Sequence, residues 1–126
     1  MLVTRHDPET VSPPVGGYAH GVEVAAARLL FVSGEIPERV GGEVPAGFEA
    51  QCELVWQNIR AVLAAAGLGF EHLVKVTTYL THGDQVELNG QIRRRILGDA
   101  RPALTVVIAQ TLESHWLLEI DAIAAA

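Results

Sequence analysis

The chain has one cysteine, Cys52, which excludes an internal disulfide and leaves no CxxC pair for dithiol redox chemistry. Basic residues are also scarce, nine Lys and Arg against 15 Asp and Glu, for a formal charge of -6 and a pI near 5.2. That balance disfavours nucleic acid or an anionic membrane as the main partner. No apolar run is long enough to span a bilayer, and Met1 to Pro8 lacks the apolar segment of a secretory signal, so the expected compartment is the cytosol. A Gly-rich phosphate loop, an HExxH pair and a nucleophile elbow around Ser33 or Ser114 are all missing, which leaves nucleotide-dependent, zincin and Ser-His-Asp chemistry without support. His6, His20, His72, His82 and His115 fall on separate elements without ligand spacing, so no metal site is expected.

What is present fits one domain, residues 1–126, able to bury a core without staples. Hydrophobic residues reach 49% against 19% charged, an apolar surplus that neighbouring subunits could cover. Val11 to Gly17, with Pro13-Pro14 and Gly16-Gly17, reads as a loop leading inward, then Val22-Glu23-Val24 and Arg28 to Ser33 as two strands, the second more buried. Ser33-Gly34-Glu35-Ile36-Pro37 ends that strand, and Glu38 to Gly47 is a surface excursion.

Phe48 to Ala66 is the main helix, its stripe formed by Phe48, Cys52, Val55, Ile59, Val62, Leu63 and Ala66, with Gly47 at its N-cap and Gly67 as its stop. Cys52 on that stripe reads as core packing rather than a reactive thiol. Leu73 to Leu80 alternates as a half-packed strand, and Asp84-Gln85-Val86-Glu87 has the form of a capping box opening a second helix with Leu88, Ile92 and Ile96 inward and Gly98 at its end. Arg93-Arg94-Arg95 reads as a solvated helix end that complements the helix dipole.

Two apolar runs close the chain, Ala103 to Ala109 and Leu117 to Ile123, and the last alanines are expected to fray. Strand alternation puts Leu118, Ile120 and Ala122 on one face and Leu117, Glu119, Asp121 and Ile123 on the other. Glu119 then reads either as a surface carboxylate on a half-exposed strand or as a cleft carboxylate whose partial desolvation suits it to proton transfer. The order of elements gives an α+β layer with both helices on one sheet face; covering the other face by self-association makes a ligand site between subunits plausible.

Gly17-Tyr18-Ala19-His20-Gly21-Val22, Leu29 to Pro37, Ala50-Gln51 with Asn58-Ile59, Leu63 to Leu68, Val74 to Leu80, Asn89, Arg101-Pro102-Ala103 and Leu118 to Ala124 together resemble, in collinear order, the Rid family, also called the YjgF family. The resemblance implies a chorismate-mutase-like α+β fold, a mixed sheet with two helices on one face. It further implies a homotrimer around a central barrel, and small-molecule clefts between subunits. It also implies cofactor-free hydrolysis of reactive imines and enamines. Carried over by position, Tyr18 and Glu119 are the candidate catalytic residues, with Glu119 holding and deprotonating water and Tyr18 orienting the substrate. Ser33, Gly34, Glu35, Asn89, Leu104, Thr105 and Ile108 are the candidate substrate-binding residues. Backbone amides near Thr105 or Ile108 are assigned to stabilising developing charge.

Leu104 departs from the pattern, because the family places there the arginine that clamps a substrate carboxylate. Arg101, three positions earlier, cannot be assumed to replace it. His20 and Glu35 stand where glutamine is usual. These departures imply a more apolar pocket with a more acidic rim, favouring a neutral or cationic imine, or a larger apolar ligand, over a small imino acid. Four functions compete: a divergent imine or enamine deaminase, a binding trimer without catalysis, the ribonuclease label some relatives carry, and a biosynthetic role steering an imine.

Overall fold

The computed structural model describes all 126 residues. In chain order they form β1 (Leu2–His6), β2 (Gly21–Ala25), β3 (Leu29–Glu35), α1 (Phe48–Ala65), β4 (Leu73–Leu80), α2 (Val86–Leu97), β5 (Ala103–Ile108) and β6 (Leu118–Ala125). β3, β6, β4 and β5 make one sheet in that spatial order, antiparallel except for the β4–β5 pair, whose parallel register needs the long crossover that α2 supplies. The two closing strands are therefore not neighbours, since β4 lies between them.

Alternation along β4 and β6 sorts the sheet into two faces. Val76, Thr78 and Leu80 join Leu118, Ile120, Ala122 and Ala124 beneath α1 and α2, all buried, and Cys52, Val55, Trp56, Ile59 and Leu63 of α1 close over them. The opposite face is open, with Leu29 and Phe31 of β3 exposed, so β3 is buried on one side only.

Two readings of local structure change and one strand is added. The last alanines do not fray: β6 runs to Ala125, Ala124 and Ala125 are buried, and Ala126 exchanges backbone hydrogen bonds with Arg28. Leu2 to His6, too exposed to show a packed face, forms β1 by antiparallel pairing with β2. The capping box does not open α2, because Gln85 is spent on the short 3-10 turn before it: its Oε1 accepts from the Thr81 and His82 amides.

α1 ends as its glycine implies, with Gly67 at φ 75° and its N–H on the Ala64 carbonyl. Its buried face is wider than the stripe, because α2 as well as the sheet packs on it, and it takes in Leu54, Trp56 and Gln51. Gln51 Nε2 donates to the Pro45 and His115 carbonyls while Oε1 accepts from Leu117 N–H, fastening the helix start to both flanking loops. Gln51→Ala leaves that amide and both carbonyls without their partner, and an unfolding free energy lower by ~2–3 kcal/mol is expected in urea titration.

Candidate active site

β6 carries Glu119 on the open face, where β4 pairs Tyr79 with Glu119 and Thr77 with Asp121. A bulge between Val32 and Glu35 displaces Ser33 and Gly34 from the ladder at the same level. The Glu119 carboxyl group fills the space a side chain at Gly34 would take, with Cδ 2.8 Å from an ideal Cβ position. Ser33 is exposed beside it. Burial and the charge of Asp121 push the Glu119 carboxyl above its usual range, and burial with the charge of Glu119 does the same to Glu35. Asp121 accepts a hydrogen bond from the Tyr79 hydroxyl at 2.9 Å, which leaves Glu119 as the acid of β6 without a side-chain partner.

Asn58 on α1 holds the turn after the bulge, its Nδ2 donating to the Ile36 and Glu38 carbonyls at 3.0 and 3.3 Å. A groove of about 400 Å³ lies against that turn, lined by Gly34, Glu35, Arg39 and Asn58 among others. Asn58 was visible in the sequence only as part of the family resemblance, and its anchoring role depends on how α1 crosses the turn.

Tyr18, Asn89 and Leu104 gather elsewhere. Ala19 N–H donates to the Pro102 carbonyl and Ala19 bridges Ala103, which lays the Tyr18 segment along the β5 edge. Leu104 pairs with Val76, so its side chain lies on the helix side, and with Tyr18, Asn89 and Val106 it lines a cavity of about 350 Å³ against α2. The predicted site residues are thus brought into two groups on opposite faces of one chain. Thr105 goes with the open face, where its hydroxyl meets Lys75 Nζ at 2.6 Å. Since Ala109 donates to the Leu80 carbonyl, parallel alternation turns the Thr105 amide toward β4 and leaves the Val106 and Ile108 amides on the free edge beyond the Ala19 bridge. Of the two amides assigned to developing charge, Ile108's is the available one.

One arginine, Arg93, differs from expectation, and Arg101 takes a structural role. Arg101 is committed to holding the Tyr18 segment, with Nη2 3.3 Å from the Tyr18 carbonyl and 3.5 Å from Asp7. His20 serves the same loop through Asp7 and Ser12 and meets the Tyr18 ring edge-on at 5.8 Å. Arg93 is not a solvated helix end: it is 5% exposed, and its Nη2 donates to the Gly16 carbonyl at 2.6 Å. Arg94 lies over Gly16, Gly17 and Gly90, and both arginines line the Leu104 cavity, which is therefore less apolar than Leu104 alone implies. The signal available in the sequence was glycine at 16, 17 and 90, which leaves room for long side chains one helical turn on. Arg94 and Arg95 are exposed as expected, and Arg95 pairs with Glu53 at 2.7 Å.

Cys52 is buried and its thiol is pushed up to about 12 by burial, in keeping with packing rather than reactivity. No helix is long and apolar enough to cross a membrane.

Residues 9–126 match the family model described as Endoribonuclease L-PSP. Protein DfrA of Myxococcus xanthus is 40% identical over 87% of this chain and 86% of its own length. A protein of Escherichia coli named putative reactive intermediate deaminase TdcF is 29% identical over 98% and 95% of the two chains. The crystal structure of a Rid-family protein of unknown function, YyfB from Yersinia pestis, superposes with a TM-score of 0.87 over the whole of both chains at 29% identity.

Proposed function

The chain belongs to the Rid family, and on that premise we propose that it hydrolyses reactive imines or enamines to a carbonyl compound and ammonia in a cleft between subunits. The observation that carries the proposal is Glu119: a partly buried carboxylate with a raised pKa and no side-chain partner, set against a backbone bulge with no intervening side chain. Such a group takes a proton from water near neutral pH. An enamine first takes a proton at carbon and loses one from nitrogen to become the imine. The hydroxide then adds to the imine carbon as the proton taken by Glu119 passes to nitrogen. The carbinolamine collapses as its hydroxyl proton is transferred to nitrogen and C–N breaks, releasing ammonia and the carbonyl product and leaving Glu119 as it began. The Ile108 amide at the free edge of β5 is a donor for charge that develops in these steps. The name of a relative, putative reactive intermediate deaminase, agrees with this reaction.

Subunit association completes the site. Glu119 and Gly34 lie on one sheet face and Tyr18, Asn89 and Leu104 on the other, so one cleft containing both groups takes the open face of one chain and the β5 edge of the next. A homotrimer closes that arrangement, and covers Leu29, Phe31, Val107 and Ile108, which a single chain leaves exposed. The ribonuclease named by the family model fits less well, because Glu35, Glu119 and Asp121 crowd negative charge where a phosphodiester would have to approach.

Ammonia release from a panel of freshly generated imines, with protein and with buffer alone, tests the proposal. Acceleration of at least one imine is expected. If none is hydrolysed faster than in buffer while ligands still bind, the protein is a binding trimer and the deaminase reading falls.

A further inference from the structure

Arg93 and Arg94 stand out from the rest of the charged surface. Arg93 is 5% exposed, yet its one hydrogen bond goes to a backbone carbonyl, its Nε has no partner, and neither it nor Arg94 has a carboxylate within 4.0 Å. A guanidinium held in the interior without a counter-ion is costly, and the adjacent Arg94 adds repulsion. The space beside them is kept by glycine: Arg94 Nη1 is 3.0 Å and 3.2 Å from where side chains at Gly90 and Gly16 would begin, and its Cγ is 3.3 Å from that point at Gly17. Both arginines line the same 350 Å³ cavity as Tyr18, Asn89 and Leu104, with Glu87 the only acidic residue in its wall. The cationic groups thus reach, from α2, the cavity to which β5 offers only the apolar Leu104 and Val106.

We infer that Arg93 and Arg94 form an anion-binding subsite of this cleft, which reads the carboxylate of an imine or enamine substrate from helix α2. Arg93 is the fixed member, aimed by its bond to Gly16; Arg94, exposed over the glycines, is the second, and meets the bound acid from the open side. The inference deepens the deaminase proposal by giving the substrate class, carboxylate-bearing imines, and rests on that proposal for the reaction and for the subunit arrangement that brings this cavity to Glu119.

Binding and turnover are measured separately so that the two can fail separately. The probes are 2-oxobutanoate and 4-phenyl-2-oxobutanoate, each with its methyl ester, titrated by NMR or calorimetry into wild-type protein, Arg94→Gln and Arg94→Lys. Arg94 is exposed, so its variants are expected to fold; Arg93→Gln, at a buried position, is used only if its circular dichroism is unchanged. Expected results are tighter binding of the acids than of their esters, a loss of about tenfold or more in acid affinity in Arg94→Gln, and unchanged ester affinity. Arg94→Lys should recover part of the loss, since it restores the charge without the planar fork. Equal acid affinity in wild type and Arg94→Gln, or acids bound no better than esters, overturns the subsite. If the acids bind through Arg94 and no imine is hydrolysed, the subsite stands and the deaminase proposal falls.

Discussion

Glu119→Gln is expected to lower kcat/KM for imine hydrolysis by ~10²–10⁴-fold, the range of a positioned general base. The amide has nearly the shape of the carboxylate, so the contact with Gly34 is kept while the ability to accept a proton from water is lost. Ligand affinity and subunit assembly should change little, which separates a chemical loss from a structural one. The pH dependence supplies a second signature: kcat/KM should fall on the acid side through a carboxyl group titrating above its ordinary value of 4.5, the direction set by burial and Asp121. The same shift has a stability consequence of opposite sense. Glu119 binds its proton more tightly in the folded chain than in the unfolded one, so its contribution is most favourable in acid and is lost as pH rises from about 4.5 through the folded value. Glu119→Gln should therefore raise Tm at pH 7, on the order of 1–3 °C for a partly solvated group, and lose that advantage near pH 4. A Tm that falls at pH 7, or activity within about tenfold of wild type, would remove Glu119 from the role of base.

Gly34→Ala should be nearly as damaging to catalysis and nearly harmless to the fold. The added methyl group would lie 2.8 Å from Glu119 Cδ and 3.2 Å from Cγ, closer than carbon atoms pack. What must yield is the end of the glutamate side chain, the flexible partner, and not a strand. A rotamer change costs ~0.5–1.5 kcal/mol. Moving a reacting group by an ångström costs ~10²-fold in rate. Gly34→Ala is thus expected to lose about a hundredfold in kcat while its unfolding midpoint in urea shifts little. The double variant Gly34→Ala/Glu119→Gln should be scarcely slower than Glu119→Gln, since both substitutions remove the same group from the site.

The two-residue period made most of the sheet legible. Ile120 and Ala122 inward with Glu119 and Asp121 outward follows from alternation alone, and the helix stripe through Cys52, Val55 and Ile59 from three- and four-residue spacing. Those signals are local. The partners of each strand are not, so nothing in Ala103 to Ala109 announced that β4 separates β5 from β6. Arg93 was misread, and the burial of Gln51 went unread, for a related reason: a polar side chain in a helix shows whether it is buried only when its acceptors are known, and these come from residues 45, 115 and 16. The C-terminal alanines carry no pattern to read, yet their backbone groups complete a ladder with β3. As for the site, the resemblance identified Tyr18, Asn89, Leu104 and Glu119 together. That they occupy two faces of one chain is a property of sheet geometry, invisible until the register of β4 against both its neighbours is known.

The lone thiol has a practical use. Cys52 is sealed under α1 with its ionisation pushed up to about 12, so it should be inert to alkylating reagents in the native protein and react only when the helix lifts from the sheet. The molecule therefore contains its own clock for opening: labelling followed by mass spectrometry in native buffer reads how often the core is breached, without denaturant or added dye. It also leaves the surface free of competing thiols, so a fluorophore attached through a cysteine introduced at the exposed Leu112 would report from that position alone.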